Sequence, residues 1–365
     1  MKKRMVRVLT SAALTAAMVM SMGGMTAFAE VSAIDIQKVV TTDGKTYAPN
    51  TSFSFEVLSA EAGSFGEGNQ KVDYYGSVNG GLTISSDKTA SYSPADGIID
   101  GDDGLKKTVV GAIEVNDNVF ADQPTGVYKY VVKEVIPEDK YEGIKYDETA
   151  YNVYLYVTEK EGGGKEVSSV VVTEGDNNDI INNGDEKTGE ILFTNDYGKD
   201  SDNDKTHDLT ITKEVTGALG EKNREFEISV KIDGVNGEKY NVVTVVKGGE
   251  GEEDETPTSP LTSGEVGTYY LKDGESIRIY GLSENDQYTV VENEKYAVEE
   301  GYTVTYSDED GKGTVSADDT ELTITNHKDA VTPTGIVMTF APYVALIGLA
   351  GVFAATFLRK RREDF

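Results

Sequence analysis

The chain has 365 residues, no cysteine, no tryptophan, and 64 acidic side chains against 34 basic ones, for a formal charge of −30. A surface this acidic repels nucleic acid and anionic lipid, which excludes a nucleic-acid-binding function. Without cysteine there is no disulfide framework and no thiolate metal site, so any extra stabilisation must come from other chemistry.

Lys2, Lys3, Arg4 and Arg7 precede an apolar stretch from Val8 to about Met22, and Ala27-Phe28-Ala29 closes it. This is the pattern of a secretory signal peptide over residues 1–29, and it predicts a mature start at Glu30 in an exported protein. Strand-like segments follow, rich in β-branched and aromatic residues: Phe53–Val57, Tyr128–Val132, Tyr151–Val157 and Ser168–Val172. Residues 199–205, polar and charged without an apolar side chain, read as the core of a linker over 198–206. Beyond it, strands are expected at Phe226–Ile232, Ser276–Tyr280, Tyr288–Val291, Tyr302–Tyr306 and Leu322–Thr325, separated by Gly, Asp and Asn turns. No mature segment shows a convincing amphipathic helix. The expected fold class is all-β, two tandem β-sandwiches over 30–197 and 207–329.

The two halves repeat the same elements in the same order. Ile34–Val39 corresponds to Leu209–Val215, Tyr130–Glu134 to Tyr288–Glu292, and Ile191–Asn195 to Leu322–Asn326. Each copy thus carries a lysine on its first strand, a glutamate on a central strand and an asparagine on its last strand. All six continue an alternating apolar pattern that faces them inward, where such residues rarely lie without partners. Grouped in a dry core, a lysine would be held toward the neutral amine and a glutamate toward the acid. The amine would then attack the asparagine carbonyl carbon, with the glutamate hydrogen-bonding the carbonyl oxygen and relaying protons as ammonia leaves.

This arrangement resembles the self-forming Lys–Asn isopeptide bonds of Gram-positive sortase-assembled pilins and of collagen-adhesin B-type, immunoglobulin-like domains. The resemblance covers nearly the whole mature chain and implies one triad of Lys38, Glu134 and Asn195 and a second of Lys213, Glu292 and Asn326. Asp196, beside Asn195, is an alternative acceptor in the first. The glutamates take the catalytic role, no cofactor is implied, and the protein is expected to be no enzyme toward other substrates.

The C-terminus resembles a sortase sorting signal. Val331-Thr332-Pro333-Thr334-Gly335 precedes an uncharged apolar run over 336–358 and the basic stop Arg359–Arg362 within 359–365. The run is long enough to span a bilayer as a helix, with the basic end inside. Pro333 departs from the commonest spacing by directly preceding Thr334, as in a variant of some pilus subunits. Cleavage between Thr334 and Gly335, within 330–335, would leave a mature segment of charge −36. The implied partners are a sortase, further copies in a covalent head-to-tail polymer, minor pilins and peptidoglycan. The localisation is the cell wall or pilus, after a membrane-inserted precursor.

A polymer also needs an acceptor amine. Lys187 is the one lysine of the long polar loop over 174–189, and Lys165, Lys199 and Lys205 are alternatives. Acidic runs over 96–104, 176–186 and 200–204 lack the ligand spacing of a calcium loop and read as solvated turns, with no metal expected. His207 and His327 have no second histidine or cysteine beside them. The leading expectation is a pilus shaft subunit, and the alternative is a monomeric wall-anchored adhesin for a host protein or glycan.

Overall fold

A computed structural model describes residues 32–65, 71–101, 103–175, 190–198, 206–234, 237–247 and 253–329. The signal peptide, Lys187, the sorting motif with Thr334 and Gly335, and the apolar run over 336–358 lie outside the described residues. The chain is all-β and divides into two compact units. The first comprises residues 1–41, 51–93 and 100–196. The second takes residues 197–365 together with the segments Thr42–Asn50 and Pro94–Ile99.

In the first unit, one sheet sets the strands Ile144–Lys145, Ile191–Tyr197, Ala33–Thr41, Leu105–Val115 and Leu82–Ile84 side by side, and a second orders Lys165–Glu174, Ala150–Glu159, Gly126–Glu134 and Phe55–Ser59. The core is aromatic. Phe53, Phe120, Tyr128, Tyr154 and Phe193 are fully buried, with Phe55 stacked on Phe193 at 5.3 Å and Tyr151 edge-on to it at 5.2 Å. Buried tyrosines need partners for their hydroxyls, and several use backbone carbonyls: Tyr151 donates to Leu192 and Tyr128 to Pro124, each at 2.6 Å.

The second unit sets Glu253–Pro257, Lys239–Lys247, Glu275–Leu282, His207–Thr216, Thr320–His327 and Thr303–Tyr306 in one sheet. The other holds Val266–Leu271, Phe226–Asp233, Gln287–Glu292 and Lys312–Thr314. Here alternation decides packing. Leu209 and Ile211, Ile228, Val230 and Ile232, and Leu322 and Ile324 point from both sheets into a single apolar core.

In each unit the first and last strands are parallel neighbours. Ala33–Thr41 pairs with Ile191–Tyr197, and His207–Thr216 with Thr320–His327. Register is fixed because a one-residue slip would turn the apolar set outward. That constraint also fixes where the inward polar residues meet.

Candidate functional site

The inward slots of the first and last strands are shared by apolar and polar residues. Along His207–Thr216, positions 207, 209, 211, 213 and 215 are buried, so Lys213 takes a core position that the pattern reserves for an apolar side chain. Asn326 does the same after Leu322 and Ile324, and Asn195 after Ile191 and Phe193. Lys38, Asn195, Lys213 and Asn326 are all 0 % exposed, Glu134 4 % and Glu292 1 %.

The register brings each set together in the same way. Lys38 pairs with Phe193 and Val40 with Asn195, while Lys213 pairs with Ile324 and Val215 with Asn326. The glutamates arrive from the facing sheet, each as the last residue of its strand. In the first unit Lys38 Nζ lies 2.8 Å from Glu134 Oε2, an ion-pair distance without hydrogen-bond alignment, and Asn195 Nδ2 donates to Glu134 Oε1 at 2.6 Å. In the second, Lys213 Nζ lies 3.3 Å from Glu292 Oε2, and Asn326 Nδ2 donates to Glu292 Oε1 at 2.6 Å. Lys213 Nζ also donates to the Glu214 and Ile324 carbonyls, both at 3.1 Å.

An aromatic ring closes each site. Lys38 Nζ sits 4.6 Å from the Phe53 ring centre and Lys213 Nζ 4.8 Å from that of Phe226. The rings attract the cation weakly and keep water out. Burial pushes the Lys38 ammonium below the usual lysine range despite the opposing pull of Glu134, and pushes Lys213 down to about 8 despite Glu292. Burial likewise raises the Glu134 carboxyl against the pull of Lys38. These shifts bring both lysines closer to the neutral amine, and the Glu134 carboxyl closer to the acid, than free side chains would be.

Asp196 is half-buried and accepts a hydrogen bond from Thr41 Oγ1, so the buried neighbour of Glu134 is Asn195. The Asn195 carbonyl oxygen does not face the glutamate. It accepts from the backbone N–H of Asp147 at 2.8 Å, a contact that sequence reasoning missed because Asp147 lies in a turn with no periodicity. Phe53 and Phe226 were legible as strand residues but not as lids. Lys165 begins a strand and donates to the Gln123 carbonyl. Lys187, Lys199 and Lys205 lie outside the described residues. His207 is buried, and His327 bonds Thr216 Oγ1 at 2.9 Å through Nδ1.

Residues 34–198 match the family described as the Spy0128-like isopeptide containing domain. This stretch of the chain is similar to that isopeptide containing domain. Both members of its triad that come from the paired strands, and the glutamate, fall inside the matched span. Residues 207–328, which hold the second triad, match a domain of unknown function, DUF7601. Along 372 aligned positions the chain is 26 % identical to a pilin of Streptococcus pyogenes serotype M1, covering 97 % of this chain and 98 % of that protein. A 136-residue stretch is 31 % identical to the Streptococcus pyogenes pilus tip adhesin Cpa, covering 36 % of this chain and 18 % of that one.

Solved structures agree on the fold. The T3.2 major pilin of Streptococcus pyogenes superposes with a TM-score of 0.56 at 25 % identity, covering 83 % of this chain and 100 % of that one. Another major pilin from Streptococcus pyogenes gives 0.53 at 23 % identity, covering 82 % and 99 %. The second likeness bears on the fold alone.

Proposed function

We propose that the protein is a structural subunit of a pilus shaft on a Gram-positive cell surface, hardened by two self-formed Lys–Asn isopeptide bonds and joined to its neighbours by a sortase. The observation that carries this reading is the repeated buried triad. Two lysines, two glutamates and two asparagines occupy equivalent registers in two units, and a fold seldom buries such groups twice without using them. Likeness to pilins along nearly the whole chain supports the same conclusion.

The chemistry balances within each triad. Lys38 Nζ passes a proton to Glu134, leaving a neutral amine beside a neutral acid. The amine lone pair attacks Asn195 Cγ, and Glu134 lies against the amide nitrogen that must depart. The acid protonates that nitrogen, the carboxylate takes the surplus proton from the new Nζ–C bond, and the C–N bond breaks to release ammonia. The product is a secondary amide between Lys38 and Asn195. Lys213, Glu292 and Asn326 follow the same sequence. Proximity supplies most of the acceleration, since amide exchange is very slow between free groups.

Assembly uses the remaining predicted groups. Sortase would cleave between Thr334 and Gly335 and pass the Thr334 acyl group to a lysine of the next copy, Lys187 being the assigned acceptor. The last copy would join peptidoglycan. A denaturing gel of cell-wall extract tests this reading: a ladder at subunit intervals is expected. A single band would instead indicate a monomeric wall-anchored adhesin.

A further inference from the structure

The turn after the edge strand Ile144–Lys145 brings Asp147 over the end of the Asn195 side chain. Its backbone N–H donates to Asn195 Oδ1 at 2.8 Å, and a backbone N–H cannot accept. The atom facing it is therefore the amide oxygen, which directs Nδ2 to Glu134. Both carboxylate oxygens of Asp147 hold this geometry. Oδ1 accepts from Thr149 N at 2.8 Å within the turn, and Oδ2 accepts from Thr194 N at 2.6 Å on the strand that carries Asn195. One side chain thus ties the turn to the residue beside the reacting amide.

We propose that the Asp147 backbone N–H is the oxyanion donor for the Lys38–Asn195 bond and that the Asp147 carboxylate is the positioning group that aims it. The inference rests on the reading that the triad forms an amide. When Lys38 attacks, the Asn195 carbonyl carbon becomes tetrahedral and its oxygen gains negative charge. A donor already in place stabilises that charge with no reorganisation. The second unit differs. Asn326 Oδ1 is buried and has no hydrogen-bond partner among the described residues. The two triads share lysine, glutamate and asparagine but not this donor, so the first bond forms faster than the second.

The test follows both cross-links in the same molecule. The whole chain is synthesised in a cell-free system, chased for increasing times, digested, and the Lys38–Asn195 and Lys213–Asn326 peptides are quantified by mass spectrometry. The first bond is expected to mature ahead of the second. Asp147→Pro, which deletes the donor, should slow the first bond by about a hundredfold and leave the second unchanged. Asp147→Ala keeps the N–H but loses both carboxylate contacts and should slow it less, with Asp147→Asn recovering part of the rate. A first bond that forms as fast in Asp147→Pro as in the native chain overturns the inference. No cross-link in either unit of the native chain overturns the functional reading instead. A control separates chemistry from misfolding: in the unreacted Glu134→Gln chain, nuclear magnetic resonance should show the Asp147 amide proton protected from solvent exchange. Exchange at the rate of an exposed turn amide would also overturn it.

Discussion

Lys38 and Asn195 lie two residues out of register on adjacent parallel strands, and Lys213 and Asn326 repeat the offset. Opposed side chains on parallel strands would stand side by side, whereas this stagger lets a long lysine lie along the sheet to reach the amide. Because the strands are the first and last of each unit, a bond there closes nearly the whole unit into a ring.

The glutamates are predicted to be indispensable, each to its own bond. Glu134→Ala should lie below its own sequence mass by one ammonia instead of two, with the missing cross-link confined to the first unit. Glu292→Ala should do the same in the second. Losing one ring should cost roughly 5 kcal/mol by chain-entropy reasoning, read as a lower thermal midpoint for that unit. Intact mass and calorimetry check both parts.

Titration of Lys213 has a definite sign. Its folded value, about 8, lies below the ordinary 10.5, so between those pH values the unfolded chain binds the extra proton. Stability of the unreacted second unit should therefore rise with pH through that window. Denaturation of Asn326→Ala against Lys213→Met with Asn326→Ala isolates this contribution. A flat difference would contradict the burial argument. The rate of bond formation should instead fall at low pH, where the amine stays charged.

Asp208 is predicted to destabilise the second unit at neutral pH and above. Burial, with Asp319 and Asp43 nearby, raises its carboxyl to about 7 from 3.8. The folded state holds that proton more tightly, so the stability it confers is complete below pH 3.8 and disappears as pH rises through 7. Asp208→Asn should raise the second unit's stability by on the order of 1–2 kcal/mol at pH 8, allowing for screening, and have little effect at pH 3.5.

The aromatic lids should matter to rate. Phe53→Leu or Phe226→Leu admits water beside the lysine, restores its preference for the charged form and slows the bond of that unit only. Time-resolved peptide mapping reads the effect. Under load, the native chain should resist extension between positions 38 and 195, because force crosses the bond and bypasses the sheets. Single-molecule stretching of Glu134→Ala should release that segment.

Much of this was legible in the sequence, for identifiable reasons. Lys213 and Asn326 interrupt strict alternation at inward slots, so their burial follows from period two alone. Lys38 was less determined, since Val39 and Val40 flank it and nearly the whole of Ala33–Thr41 is buried. The strand Leu105–Val115 was not anticipated because Lys106, Lys107 and Gly111 break its pattern. Pairing with Ala33–Thr41 holds it regardless. The short helix Glu294–Glu299 is below the length at which periodicity can be read. Asp147 acts through its backbone, which no side-chain pattern reports. The grouping of Thr42–Asn50 with the second unit depends on distant contacts, such as Lys45 Nζ with Tyr280 Oη at 2.8 Å and the Lys45 carbonyl with Asn241 Nδ2 at 2.9 Å.

The most direct test is the intact mass of the purified fragment from Glu30 to Thr334. Two completed amides predict a mass lower than the sequence value by two ammonias, with cross-linked peptides joining Lys38 to Asn195 and Lys213 to Asn326. A mass equal to the sequence value would contradict the account.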